Sequence, residues 1–161
     1  LRVDDIPLAF EDRLQGTVSQ CLETDVGDFV LRRADGLWAY QLAVTVDDEF
    51  QQISDVVRGA DLLASTPRQI HLQHCLGYAT PRYAHLPVAA NAAGEKLSKQ
   101  TLARALDGSH AAAELVSALR FLGQEVPQNL VAASVAEVWV WALVHWDFAA
   151  IPRQRVIILP V

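Results

Sequence analysis

The sequence predicts an α/β fold in which a strand–helix–strand crossover precedes a small helical appendage. Three observations carry this reading. Val56-Val57, ending at Arg58-Gly59, and "YAHLPVAAN" are short strand candidates on either side of the clearest helix start, "STPRQIHLQHCLG". Strand, helix, strand, loop is the order a parallel pair requires, because the chain must cross back before it re-enters the sheet. After Ala103 the character turns helical, in "SHAAAELVSALRFLG" and "SVAEVWVWALVHW". At 161 residues, 52% of them hydrophobic and 20% charged, the chain can bury a core as one ordinary domain, with or without an appendage.

The elements can be taken in order. "DFVLRRADGLWAY" reads as a hairpin: Phe29 to Arg33 form a β-rich run, Asp35-Gly36 the tight turn, and Leu37 to Tyr40 the return. "QLAVTVDD" fits helix or strand equally by period. Val56-Val57 reads as a buried strand. In the next helix, Thr66 is placed as N-cap and Pro67 at the first helical position, where its missing N–H costs nothing. Gln69 completes a capping box, and Gly77 supplies the stop. Ile70, Leu72, Cys75 and Leu76 form much of the buried stripe. Ser134 and Glu137 form a second capping box, and Trp139, Leu143 and Trp146, at helical spacing, read as core. The tail "IPRQRVIILPV" is apolar and β-like and has no assigned place.

Composition narrows the function. A net charge of −6 argues against a general nucleic-acid coat but permits a local basic site, since potential depends on where charge sits. No apolar run has bilayer length and no signal peptide opens the chain, so no membrane partner is expected. Cys21 and Cys75 lack metal-type spacing and read as reduced thiols in the cytoplasm. His71 and His74 beside Cys75 read as an exposed helix face with one buried thiol, and Asp47, Asp48 and Glu49 as a solvated acidic loop. No metal site is assigned. Walker, GxGxxG and GxSxG patterns are absent. The chain opens at Leu1 and contains no methionine, so an internal or trimmed piece of a longer protein is expected.

The chemistry centres on "GEKLSKQT", residues 94–101. A lysine ammonium is a compact charge suited to phosphate, and two on one loop suit a flap over a polyphosphate; composition alone equally fits a solvated loop. The stretch "KLSKQ" resembles the KMSKS loop of class I aminoacyl-tRNA synthetases, with Leu97 in place of methionine and Gln100 in place of the last serine. "FVLRRADGLWAYQLAVTVDD", "VVRGADLLASTPRQIHL" and "HLPVAANAAGEKLSKQ" stand in the order and spacing of the glutamyl branch, and similarity runs from Asp12 to Leu106. Within that branch, "RRADGLWAYQLAV" and the glutamine after the second lysine resemble the short glutamyl-Q tRNA(Asp) synthetase family. The full-length enzymes commonly carry "KLSKR" instead.

The resemblance implies that residues 1–106 are the second half of a class I Rossmann-like nucleotide-binding domain, with 107–161 as helical appendage and tail. It implies that Tyr40 contacts substrate glutamate and that Arg58 holds it, a guanidinium fork pairing bidentately with carboxylate. Lys99 is the implied catalytic residue, binding ATP together with Lys96, Leu97 and Ser98. Asp61, Thr66, Pro67 and Gln69 also match the family, although capping and packing account for them. The implied reaction makes glutamyl-adenylate from glutamate and ATP, with Mg2+, then passes the glutamyl group to queuosine in the anticodon loop of tRNA(Asp). Arg32, Arg33 and Arg104 are either RNA contacts or plain surface charge, and a monomer is expected. The HIGH-type motif and the family's zinc segment are missing, so the chain alone is expected to be inactive. A fragment of a discriminating glutamyl-tRNA synthetase and a non-catalytic nucleotide- or RNA-binding module are the alternatives.

Overall fold

The computed structural model describes residues 1–5, 7–98, 101, 103 and 105–159. They fall into two compact units, Leu1–His85 and Leu86–Val161. The division expected at 106/107 marks where helical sequence takes over, and that point lies within the second unit.

The first unit is built on a four-stranded sheet whose order is β2 (Gly16–Cys21), β1 (Pro7–Asp12), β4 (Arg82–Leu86) and β3 (Asp55–Gly59). Strands β1 (Pro7–Asp12) and β2 (Gly16–Cys21) form an antiparallel hairpin with Pro7 opposite Cys21 and Asp12 opposite Gly16. A four-residue helix, α1 (Leu22–Asp25), comes next. At Asp35-Gly36 the expected turn forms: Arg33 N–H donates to the Leu37 carbonyl and Ala39 N–H to that of Leu31, both at 2.8 Å. Paired strands do not develop beyond the single bridge between Arg32 and Trp38. The return is cut short because Tyr40 already begins a helix, α2 (Tyr40–Phe50). That resolves "QLAVTVDD" as helical and puts the acidic triplet on the last turns of α2 rather than on a loop.

Strand β3 (Asp55–Gly59) leads through a 3-10 turn, Ala60–Ser65, into helix α3 (Thr66–Leu76) and strand β4 (Arg82–Leu86). Strands β1 and β4 are parallel, with Asp12 opposite Tyr83. Strand β3 ends the order, so Val57 is 61% exposed rather than buried. Gly77, at φ 72°, stops α3 as expected. The capping box does not form. The 3-10 turn runs directly into α3, Ser65 has helical backbone angles and no side-chain cap, and the Thr66 and Gln69 side chains bond elsewhere. Ile70 and Leu72 are buried, but Cys75 and Leu76 are exposed. The inward face of α3 is instead half polar, with Thr66, Gln69 and Gln73 buried.

In the second unit, Pro87 separates β4 from β5 (Val88–Ala90), so "YAHLPVAAN" makes two strands rather than one. The tail finds its place as β6 (Val156–Ile158), parallel to β5, with Val88 opposite Val156 and Ala90 opposite Ile158. Helices α4 (Ala111–Phe121) and α5 (Val135–His145) enclose a core of Val116, Leu119, Val126, Val138 and Ala142. The capping box of α5 forms: Ser134 N–H donates to Glu137 Oε2 at 2.8 Å and Glu137 N–H to Ser134 Oγ at 3.3 Å. Trp139, Leu143 and Trp146, expected in the core, are respectively 51%, 79% and 44% exposed. Helix α5 is apolar almost all round, so its period cannot choose a face. The smaller Val138 and Ala142, with half-buried Trp141, meet α4. No helix among the described residues is long and apolar enough to cross a membrane.

Gly123, just past the end of α4, has φ 77°, and a Cβ built there would stand 2.1 Å from the Ala150 carbonyl oxygen. Gly123→Ala is therefore expected to destabilise the chain by roughly 2 kcal/mol or more, read from urea unfolding, by combining backbone strain with a clash against main chain. An unchanged midpoint would show that this contact yields freely.

Candidate functional site

The polar interior of the first unit is organised around Arg58, near the end of β3. Its Nε–H donates to His85 Nε2 at 3.0 Å, and Nη2 donates to Thr66 Oγ1 at 2.8 Å and to Gln69 Oε1 at 2.7 Å. The guanidinium carbon lies 5.5 Å from the centroid of the Tyr83 ring, a cation–π distance. Gln69 Nε2 passes the chain of bonds on to Gln41 Oε1 at 2.8 Å, on the first turn of α2. Gln73 Nε2 donates to the Tyr83 hydroxyl at 3.0 Å.

On the far side of the imidazole, His85 Nδ1 lies 2.6 Å from Asp12 Oδ2, and both side chains are fully buried. Asp12 Oδ1 accepts from the N–H groups of Leu14, Gln15 and His85. The parallel register of β1 on β4 sets this geometry by bringing Asp12 beside Tyr83, two residues before His85. Chemistry decides the tautomer. A guanidinium has no acceptor, so Nε2 must offer its lone pair to Arg58, and Nδ1 carries the proton donated to Asp12. Burial, with Arg58 adding to it, holds the His85 pKa below its ordinary 6.5 although Asp12 pulls the other way. Burial also pushes the Asp12 carboxyl up, but the bonds from His85 and the three N–H groups outweigh it and hold the pKa below the usual carboxylate value.

Arg58, which the resemblance implies holds glutamate, has most of its fork already in use. Both hydrogens of Nη2 and the one on Nε are committed internally, which leaves Nη1 outside these bonds. Tyr40 is exposed on the first turn of α2, one residue from Gln41. Helix α2 turns Gln41, Thr45 and Asp48 to one face: Thr45 is buried and its hydroxyl donates to the Gln41 carbonyl at 2.8 Å. Asp48 feels the Arg58 charge, yet burial dominates and raises its carboxyl pKa.

The KLSKQ loop belongs to the second unit. Asn91 and Gly94 close a turn, Ala90 and Lys96 form a bridge, and Leu97 N–H donates to the Ala89 carbonyl at 2.9 Å. Thr101 Oγ1 accepts from Ser98 N–H at 2.9 Å and lies 3.1 Å from the Lys96 carbonyl oxygen, tying the loop ends together. Lys96, Leu97 and Ser98 thus lie on a hydrogen-bonded loop. Lys99, together with Gln100 and Arg104, lies outside the described residues.

Sequence reading missed His85, Asp12, Gln41 and the true roles of Thr66 and Gln69. The available signal was a histidine between Ala84 and Leu86 in a short strand, which has to find a partner when buried. His71 Nε2 is 3.7 Å from Cys75 Sγ, on exposed α3 surface. No group of three or more His, Cys, Asp or Glu among the described residues is placed to hold a metal. The resemblance assigns zinc to a segment outside the stretch matched here and Mg2+ to the bound ATP, so neither metal is expected to draw its ligands from these residues.

Comparison with known proteins establishes the family. A family model described as tRNA synthetases class I (E and Q), catalytic domain, matches residues 2–125. A glutamyl-Q tRNA(Asp) synthetase of Dechloromonas aromatica is 70% identical over 160 residues, covering 99% of this chain and 53% of the relative. Relatives of the same name from Aromatoleum aromaticum and Chromobacterium violaceum are 58% and 54% identical over 91% and 94% of this chain, and the chain covers 47% and 50% of them. The chain thus spans about half the length of the curated relatives it matches. The crystal structure of glutamate-tRNA synthetase from Elizabethkingia anophelis superposes with a TM-score of 0.68 at 22% identity, covering 93% of this chain and 34% of that one, which establishes a shared fold.

The buried pair has a measurable consequence. His85 and Asp12 both have pKa values depressed by folding, so the unfolded state takes up protons more readily than the native one. Their stabilisation is complete above the ordinary histidine value of 6.5 and is lost as pH falls below it, first through His85 and then through Asp12. Chemical unfolding of the chain is expected to show stability falling from about pH 7 to about 5, and His85→Gln to flatten that slope. A slope unchanged in the variant would assign the acid sensitivity to other groups.

Proposed function

Because this chain belongs to the class I (E and Q) tRNA synthetase catalytic-domain family, we propose that it forms part of an enzyme that activates glutamate with ATP and transfers it to queuosine in tRNA(Asp). The name its relatives carry supports the acceptor. The observation that carries the glutamate half is the immobilised Arg58, whose acceptors His85, Thr66 and Gln69 are all uncharged. Its positive charge is oriented by these groups without being neutralised by them.

In this reading Arg58 Nη1 holds a carboxylate of glutamate, and Tyr40 contributes a phenol from the adjoining turn of α2. Holding the amino acid still turns the first step into an effectively unimolecular attack. An oxygen of the α-carboxylate attacks the α-phosphorus of ATP, the bond to the bridging oxygen breaks, and pyrophosphate leaves. A nucleophile of the queuosine base then attacks the acyl carbon and AMP departs. Lys99 is assigned to the phosphates, where charge accumulates as the bond breaks, and Lys96, Leu97 and Ser98 shape its loop. The enzyme is taken to act as a monomer in the cytoplasm.

The test is a chimera in which this chain replaces the matching half of the Dechloromonas aromatica relative. Labelled glutamate should reach tRNA(Asp) containing queuosine even when its 3′-terminal adenosine has been removed. Label lost on that removal would establish 3′ charging instead, as in a glutamyl-tRNA synthetase, and no label with either tRNA would overturn the reading. Arg58→Lys in the chimera is expected to lower kcat/KM for glutamate on the order of a hundredfold, because lysine cannot satisfy three fixed acceptors and a ligand together.

A further inference from the structure

The arginine that faces the ligand depends on an imidazole kept in one protonation state. Nε2 of His85 accepts from Arg58 Nε–H at 3.0 Å, and it can do so only while that nitrogen is unprotonated. Asp12 grips the opposite nitrogen at 2.6 Å and is itself fixed by three backbone N–H groups. Tyr83 stacks on the imidazole at 6.0 Å between centroids and lies under the guanidinium. None of these groups is placed to react with substrate, yet together they fix the plane of the guanidinium.

From this geometry we propose that Asp12 and His85 are positioning residues: they hold Arg58 in a single orientation that presents Nη1 to a substrate carboxylate, and they release it when His85 takes up a proton. The inference rests on the glutamate reading given above for the identity of that carboxylate. A second proton on the ring would set an N–H against an N–H and a cation against a cation. The charged and titratable groups around His85 are Asp12 on β1, Arg58 on β3, Asp61 on the 3-10 turn and Tyr83 on β4. From α2, Asp48 acts on Arg58, while α3 presents only the neutral Thr66 and Gln69. Asp12 and Asp61 favour the imidazolium, but burial and Arg58 outweigh them, so release belongs to mildly acidic solution.

Two substitutions separate the roles of the two ring nitrogens. His85→Gln keeps an acceptor near the Nε2 position, whereas His85→Asn keeps only a partner for Asp12. Long-range proton–nitrogen spectra of the full chain at about pH 7 should show His85 as the neutral Nδ1–H tautomer. They should also show a protected Arg58 Nε–H signal that persists in H85Q and vanishes in H85N. Titration with sodium glutamate between about pH 8 and 5 should show affinity falling with pH in the unmodified chain and flat in H85Q. In H85N it should be weaker by about tenfold throughout, the loss expected for one charge-assisted hydrogen bond. An Nε2–H tautomer, a ring already charged at neutral pH, or an Arg58 signal indifferent to H85N would overturn the positioning role. The spectra of the unmodified chain decide this even if H85N does not fold. If the spectra behave as expected but glutamate binds at no pH, the positioning role stands and the glutamate reading falls.

Discussion

One lone pair, on His85 Nε2, organises the first unit. An arginine drawn partly into a protein interior needs acceptors for its N–H groups, and an acidic acceptor would cancel the charge a ligand site requires. The fold supplies neutral acceptors instead: an imidazole nitrogen, a hydroxyl and an amide oxygen. Each such bond to a charged donor contributes on the order of 1.5–3 kcal/mol, and leaving one unmade would cost a similar amount. The imidazole can play this part only because Asp12 takes its proton-bearing side. Asp12 can do so while fully buried because three backbone N–H groups of the β1 turn and β4 stabilise its charge. The dependence runs inward from arginine to histidine to aspartate, and ends in the parallel pairing of β1 on β4.

Much of the frame was legible in the sequence because it rests on local rules. Asp35-Gly36 turns, Gly77 stops α3, and Ser134 with Glu137 starts α5, each through contacts within a few residues. Resemblance marked Arg58 and Tyr40, and the structure places Arg58 in the polar interior and Tyr40 exposed at the start of α2. The hidden part was mostly non-local. Thr66 and Gln69 have the spacing of a capping box, but the turn before them is already helical and their side chains face Arg58, eight and eleven residues back. Asp12 and His85 are 73 residues apart, and no periodicity announces such a pair. Only strand register brings them together.

The second unit resisted prediction for a different reason. Along α5 nearly every position is apolar, so amphipathic reasoning had no polar face to subtract. Trp139, Leu143 and Trp146 read as core because of their helical spacing, but the face that α4 accepts is the one carrying smaller side chains. Val138 and Ala142 pack against Val116 and Leu119, and the rings of Trp139 and Trp146 remain at the surface. Likewise the tail gained its place only through a partner far back in the chain, with Val88 opposite Val156. Its β-like composition was visible, but its neighbour was not.

Gln41 and Gln69 show how two residues proposed to hold substrate, on separate elements, become one unit. Tyr40 lies on α2 and Arg58 on β3, and nothing local relates them. Yet Gln69 on α3 accepts from Arg58 with its oxygen and donates to Gln41 with its nitrogen, so a single amide fixes both neighbours. An amide is suited to this because it has a donor end and an acceptor end and carries no charge of its own. A carboxylate in its place would satisfy Arg58 but repel the oxygen of Gln41, and would draw the guanidinium's charge away from the ligand. The neutrality of the acceptors that hold Arg58 and its proposed availability to a carboxylate are therefore one property, and the bond to Gln41 extends that order to the turn from which Tyr40 projects.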